Sequence, residues 1–579
     1  MNLFKKIALA MIVLSMAACS DLDELFENPN GVDPSRADAV SLYNSVQLSF
    51  RNVANNETMY RFTAGLARMN GEIGGFTYQA THGPNEFDVL WRQAYAELFP
   101  DIDALIALAE PIGLDTEAAS AKIMKAYTLM LLVDLFGDVP NSEAGQGANP
   151  DNQILNPTDD SGADVYAEAV ALLNEASAQL EGSTGFGSAA FDNFYGGSAD
   201  GWKTLANTLK IRAAVTTRLV NGAGGAGAIN DILAGGDFID TNAENFEFQY
   251  GSNRLNPDNR HPFYEDGYEA NDGQYQANWY MWLLAESKGF PDPRTRYYFF
   301  RQETDIIGTY EADPNAFDCI FTMVPDPDFL PSHYDALPFE TPYCLGSYDQ
   351  GYFGRDHLNG SGIPPDGFFR TVYGLYPGGG KFDDGLSNAE VQNNGVDGAQ
   401  GAGIAPIFQA SFTHFNLAEA ALTMGVNANP RDLLQAGIEL SQERVRAFES
   451  LVDGSEQIAS APPVDVFVEN TFPADSLFTD YVDFVLDEYD AAGSDQERLG
   501  IVAREYLIAL YGNGIEAYNL YRRTCLPSNI QPAIDPNPGP FIRSALYPAV
   551  HVQLNQNVEQ KGSFTDPVFW DTNDASCNN

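Results

Sequence analysis

The feature that most constrains this fold is a helix with no polar face. Residues 119–136 place Ile123, Ala126, Tyr127, Met130 and Val133 on one side, and Leu129, Leu131 and Leu132 fill the remainder. A helix apolar all round must be covered on every side, so the segment predicts a helical body packed about it. Its end is equally marked: Gly137 suits the left-handed position after a helix, and Pro140 prevents continuation. The period returns at 404–424 through Phe408, Phe412, Phe415, Ala418 and Leu422, and at 496–511 through Leu499, Val502, Tyr506 and Leu510. Weaker helical periodicity marks 37–69, 86–109, 163–180, 201–220, 276–287, 430–451 and 475–490.

Between 235 and 400 the character changes: Gly, Pro, Asn, Asp and aromatics dominate, and periodicity survives only around 276–287. Such composition marks turns and long connections, and loops this long inside a compact protein usually carry function. No 34-residue repeat is readable, so periodicity alone does not establish a solenoid.

Charge excludes one class of partner. With 31 basic and 80 acidic residues the formal charge is −49, which repels a phosphate backbone. It also favours neutral over polyanionic ligands unless calcium bridges the two, and it suits a surface in salty water.

Catalytic motifs give little. Gly222-Ala-Gly224-Gly225-Ala-Gly227 matches GxGxxG, but Trp202–Val220 before it reads as a helix, whereas a dinucleotide site needs a strand there. A flexible interhelical loop is expected instead. Neither HExxH nor a Walker A sequence occurs, and among 80 carboxylates no glycosidase pair can be nominated. Asp480, Asp483 and Asp487 share one helical face, the usual pattern of a solvated stripe. A structural calcium site in Asp-rich loops such as Asp326-Pro-Asp328 stays open, without EF-hand spacing. No other cofactor is expected, and the chain reads as a non-enzyme.

Aromatics are the exception. Tyr264, Tyr268, Tyr275, Trp279 and Tyr280 stand among Asn, Gln, Asp and Glu, with Trp282 following, and the loop Gly71–His82 sets Phe76 and Tyr78 among glycines before Trp91. Ring faces stack on the C–H faces of sugars while amides and carboxylates take the hydroxyls, the makeup of a concave polar-ligand site. The alternative is that Trp279 and Trp282, at i and i+3, form the core face of a short helix.

The N-terminus carries an address. Lys5 and Lys6 precede an apolar run, Ile7 to Val13, too short to span a bilayer, and Ala17-Ala18 forms a small-residue processing site. Cys19 directly after it resembles the lipobox of bacterial lipoproteins, with Met16 where leucine is usual; Ser20-Asp21-Leu22-Asp23-Glu24 resembles the export signal of Bacteroidetes surface lipoproteins. The resemblance implies lipidation at Cys19 and an outer-membrane location facing the exterior. Four cysteines remain, and an oxidising compartment allows three connectivities. The sequence-nearest pairing, Cys319–Cys344 and Cys525–Cys577, is expected, each closing a loop with about 3–5 kcal/mol of entropic stabilisation. No CxxC or histidine cluster has zinc spacing.

Over nearly its whole length the chain resembles the SusD/RagB family of nutrient-binding lipoproteins. The resemblance rests on Asn28-Pro-Asn30, Asp134-Leu-Phe-Gly-Asp-Val-Pro140 with Ser142-Glu143-Ala144, and Trp202 to Arg212. It continues through Asp292-Pro-Arg294, Leu417-Ala-Glu-Ala420, Arg522-Arg523-Thr524 to Pro527, and Tyr547-Pro548 with Asn555. These landmarks read as helix stops, turns and buried polar anchors. Cys525 departs from the family's usual glycine, which supports its bond to Cys577.

The resemblance implies a mainly α fold: a scaffold of tetratricopeptide-type helix pairs with a large, irregular, loop-rich insert. The expected division is 1–18 signal peptide, 19–36 lipidated tether, 37–234 first scaffold part, 235–400 ligand-binding insert and 401–579 C-terminal scaffold. It implies a surface protein that binds a glycan and passes it to a SusC-like TonB-dependent transporter without catalysis. A peptide-binding member, a surface glycoside hydrolase and a purely structural transporter subunit are the alternatives. Phe76, Tyr78, Trp279, Trp282 and Tyr352 are the expected stacking residues.

Overall fold

The computed structural model describes residues 39–71, 74–183, 185, 192–270, 275–302, 331–341, 350–360, 370–386, 395–452, 458 and 465–573. It is mostly helical. The first half holds α1 (Ala39–Ala54), α2 (Glu57–Leu66), α3 (88–109), α4 (Asp115–Phe136), α5 (Gly162–Leu180), α6 (Ala199–Thr216) and α7 (Arg218–Gly235). A short helix, α8 (Asn278–Ala285), lies within the insert. Then follow α9 (Ala410–Thr423), α10 (Pro430–Arg446), α11 (Asp475–Ala491), α12 (Asp495–Ala509) and α13 (Gly514–Thr524).

Local chemistry sets these boundaries. Ser161, Ser198 and Ser494 open α5, α6 and α12, each side chain accepting from a backbone N–H of the first turn; Asn513 does the same for α13. In α4, every residue from Ala126 to Phe136 is buried, as its all-round apolarity requires. The helix stops at Gly137, whose φ of 84° only glycine adopts without strain, and the Gly137 N–H donates to Val133 O at 2.8 Å. Successive helices pack pairwise, α4 on α5, α6 on α7 and α9 on α10.

The family landmarks meet inside. Asp134 accepts from Tyr166 Oη (2.5 Å) and Trp570 Nε1 (3.0 Å) on one oxygen, and from Arg212 Nη2 (2.7 Å) and Asn519 Nδ2 (2.9 Å) on the other. Arg212 Nε donates onward to Glu516 at 2.6 Å, and Arg522 donates to the Asp134 carbonyl. Glu419 takes Arg523 through both oxygens and Arg218 through one. Asp292 grips Arg294 with two bonds of 2.9 and 2.7 Å, and Glu505 lies 3.4 Å from the same guanidinium. Charges this deep cost several kcal/mol to desolvate, so such networks specify one arrangement more than they add stability.

Among the described residues six short strands form three antiparallel pairs: β1 (Asn70–Gly71) with β3 (Tyr275–Gln276), β2 (Phe246–Gln249) with β6 (Ile404–Phe408), and β4 (Phe299–Phe300) with β5 (Val372–Tyr373). The expected helix 404–424 is thereby corrected. Its first five residues are β6, paired to β2, and Pro406, which has no N–H, stands inside the stretch. A second correction concerns Gly222–Gly227, expected as a loop: it lies in α7, just after a kink at Asn221. There Gly225 packs closely: a Cβ would stand 2.9 Å from Met424 Cε, the flexible end of that side chain, and 3.3 Å from Ala214 O.

Only a small cluster, Tyr264, Tyr268, Phe300 and Val372, is the insert's own among the described residues. Trp279, Tyr280, Tyr297, Tyr298, Phe299 and Tyr373 join one hydrophobic cluster with residues from both helical parts. Asp480, Asp483 and Asp487 are exposed along α11, as a solvated stripe should be. Among the described residues no helix is long and apolar enough to cross a membrane.

Candidate ligand-binding site

The two segments singled out by their aromatics are brought together by the β1–β3 pair. Asn70 registers with Gln276 and Gly71 with Tyr275, so the loop after β1 is laid against the insert. Glycine makes the approach possible: a Cβ on Gly71 would meet Arg355 Cβ at 2.7 Å, and one on Gly360 would meet the Gly75 backbone at 2.6 Å. Asn278 Oδ1 accepts from the Gly354 N–H at 2.9 Å, and the Arg355 guanidinium lies 4.6 Å from the centre of the Tyr275 ring, with Arg370 at 5.4 Å.

Tyr78 locks the loop to its surroundings. Its hydroxyl is 3.0 Å from His357 Nε2, its ring meets Phe541 edge-on at 5.9 Å, and its N–H donates to Pro538 O at 3.0 Å. Thr77 caps the short turn Tyr78–Thr81 by accepting from the Ala80 N–H. Burial, helped by the charges of Arg68 and His82, holds the His357 pKa well below the ordinary histidine value, so the ring is neutral.

This anchoring leaves Phe76 outside. It is 41% exposed, and among the described residues it is the one exposed Phe, Tyr or Trp side chain. Trp282 is half-buried and packs on the core. The other three expected stacking residues are corrected by their burial. Trp279 is enclosed, its indole N–H donating to Asn529 O at 2.9 Å. Tyr352 is enclosed, its hydroxyl donating to Asp383 at 3.1 Å, and Tyr78 serves as a wall. The ring faces of Trp279 and Tyr352 are filled by protein, which leaves none for a sugar.

Behind Tyr78 lies a cavity of about 400 Å³, lined by His333, Leu337, Asp535, Phe541 and a proline-rich stretch that includes Pro532, Pro536, Pro538 and Pro540. The sequence reading passed over this region. The density of proline and glycine at 531–540 is the signal that points to a built, turn-rich wall.

Cys19, Cys319, Cys344, Cys577 and Asp326-Pro-Asp328 lie outside the described residues. Cys525 is disulfide-bonded, and its partner lies outside them too. Among the described residues no three His, Cys, Asp or Glu side chains converge as metal ligands would.

The structure is thus a helix-pair scaffold with its charged landmarks buried in the frame and, among the described residues, one exposed aromatic ring, Phe76, on the loop after β1. Residues 32–353 match the family model of SusD-like proteins, described as starch-binding and associating with the outer membrane. The chain belongs to the SusD-like family.

Its fold is that of solved relatives. A chitin-binding protein is 19% identical with a TM-score of 0.62, over 93% of this chain and 100% of that one. A SusD/RagB family protein of Bacteroides thetaiotaomicron is 17% identical with a TM-score of 0.63 over the same shares. A chitin-binding SusD homologue from Flavobacterium johnsoniae is 16% identical with a TM-score of 0.57, over 92% and 99%. The helix pairs are thus the tetratricopeptide-like scaffold of this fold. No curated protein matches the chain in sequence.

Proposed function

We propose that this chain is a cell-surface lipoprotein that binds a neutral polysaccharide or oligosaccharide and delivers it, unaltered, to a SusC-like TonB-dependent transporter of the outer membrane. The observation that carries the reading is Phe76: the one exposed aromatic ring among the described residues, held out by a loop whose next aromatic is locked to the insert. An aromatic face on a rigid base suits a sugar ring, because stacking then costs little ordering of the protein. Two structural neighbours described as chitin-binding support a glycan as the ligand.

The test is a native affinity-gel screen of the chain and its Phe76→Ala variant against neutral and anionic polysaccharides, with a reducing-end assay of the same mixtures. A neutral glycan should retard the wild type, the variant should bind about tenfold more weakly, and no reducing ends should be released. Equal retardation of both proteins would move the site, first to Trp282. Released sugar ends would make the chain a hydrolase, and capture of peptides but no glycan would make it a peptide-binding member of the family.

A further inference from the structure

We infer that the cavity behind Tyr78 is a second sugar subsite, which takes one end of the neutral glycan whose neighbouring unit stacks on Phe76. The inference rests on the glycan reading of the Phe76 surface and adds where the chain goes next. Tyr78 joins the two places: it stands two residues after Phe76, its ring lines the cavity, and its N–H holds Pro538 of the opposite wall at 3.0 Å. At about 400 Å³ the space falls in the range of small-molecule sites.

The lining decides the class of ligand. Tyr78, Phe541, Leu337 and Ala533 give it an apolar surface, and Pro532, Pro536, Pro538 and Pro540 add ring C–H groups. Prolines have no N–H, so at four positions the wall is unable to donate, and the Pro532 and Pro538 carbonyls already accept from Tyr334 and Tyr78. The polar side chains lean the same way. Asp535 spends Oδ1 on the Asn537 N–H at 2.7 Å, which leaves Oδ2 as an acceptor. His333 Nε2 lies 2.9 Å from the Ala533 carbonyl and donates to it, and in that tautomer Nδ1 is an acceptor. Arg543, the one cationic side chain among the lining residues, is ion-paired to Asp571 at 2.8 Å and donates to the Asp571 and Asn573 carbonyls. With only the Arg543 guanidinium and the Thr565 hydroxyl as side-chain donors beside His333 and Tyr78, the wall around this apolar floor suits a ligand rich in O–H groups. It disfavours the anionic group of a uronate, sulfate or phosphate, whose oxygens only accept.

The cavity is also preorganised. Besides the bond from Tyr78, Tyr334 Oη donates to Pro532 O at 2.8 Å, and the prolines restrict the backbone before any ligand arrives.

The subsite is tested by chain length, using isothermal titration of the full chain with neutral oligosaccharides of the retarding glycan from two to six units. Wild type should gain affinity as the chain lengthens enough to occupy both places. Leu337→Trp, which fills the cavity, should abolish that gain, by about tenfold on the longest probe, while binding the shortest as before. Asp535→Ala should reduce the gain part of the way, and both variants should melt within a few degrees of wild type. A length dependence unchanged in Leu337→Trp would overturn the subsite and leave the Phe76 reading intact. Loss of binding in Phe76→Ala is read separately and bears on that reading alone. Failure of every oligosaccharide to bind wild type would overturn both.

Discussion

At the scale of single residues, Lys561 is a charge in a poor place. Burial pushes its ammonium down and the Arg522 charge adds to this, while Asp566, Asp138 and Asp159 offset part of it; the outcome is a pKa of about 7. Nζ donates to Ser544 Oγ at 2.8 Å and lies 4.9 Å from the centre of the Tyr547 ring. Because the folded value is below that of a free lysine, at about 10.4, the unfolded chain holds more protons between the two. Stability therefore rises with pH across that window, and the cost is full below pH 7. Melting curves from pH 6 to 9.5 should show wild type gaining on Lys561→Met as pH rises; parallel curves would refute the shift. Residue identity was the least legible part of the site. Phe76 and Trp279 are both large rings in aromatic-rich segments, and only tertiary burial makes one a surface and the other core. Cys525 reads more easily: it caps α13 at a φ of 57°, the left-handed position where the family's usual glycine belongs.

At the scale of elements, Asp134 ties α4 to α5, α6, α13 and the chain end through four side-chain donors while wholly buried. Asp134→Asn puts an amide against those donors and strips Arg212 of one of its two carboxylates. Breaking a buried pair in this way costs about 3–5 kcal/mol, so the urea midpoint should fall accordingly. A fall equivalent to less than about 1 kcal/mol would show the cluster to be dispensable. The helices around it were legible because their apolar period is long and their caps are explicit. Residues 404–408 were not, since a short apolar run is ambiguous between strand and helix. What settles it is pairing with Phe246–Gln249, far away in sequence. α13 went unread because Gly514–Thr524 buries Arg522, Arg523, Asn519 and Glu516, so its buried face shows no apolar period.

At the scale of the whole molecule, the same blindness hid the second wall of the site. Tyr78, His357 and Pro538 are hundreds of residues apart, and no local pattern announces that they touch. Net charge, by contrast, is fully legible and carries its own consequence. A formal charge of −49 repels itself more in the compact state than in the unfolded chain, so the fold works against it. Exposed ion pairs such as Arg431–Asp490 and Arg446–Asp475 oppose this, but each contributes at most about 1 kcal/mol and is screened by the same salt. The buried networks of Asp134, Glu419 and Asp292 lie beyond the reach of screening. Raising sodium chloride from about 20 mM to about 0.5 M shortens the Debye length from roughly 20 Å to about 4 Å, which removes far more repulsion than attraction. The melting temperature should therefore climb by several degrees and level off near the top of that range, with potassium chloride giving the same curve. A fall with salt would mean that surface pairing, not self-repulsion, dominates the electrostatics of this fold. A rise specific to one cation would mean instead that an ion is bound at a defined site.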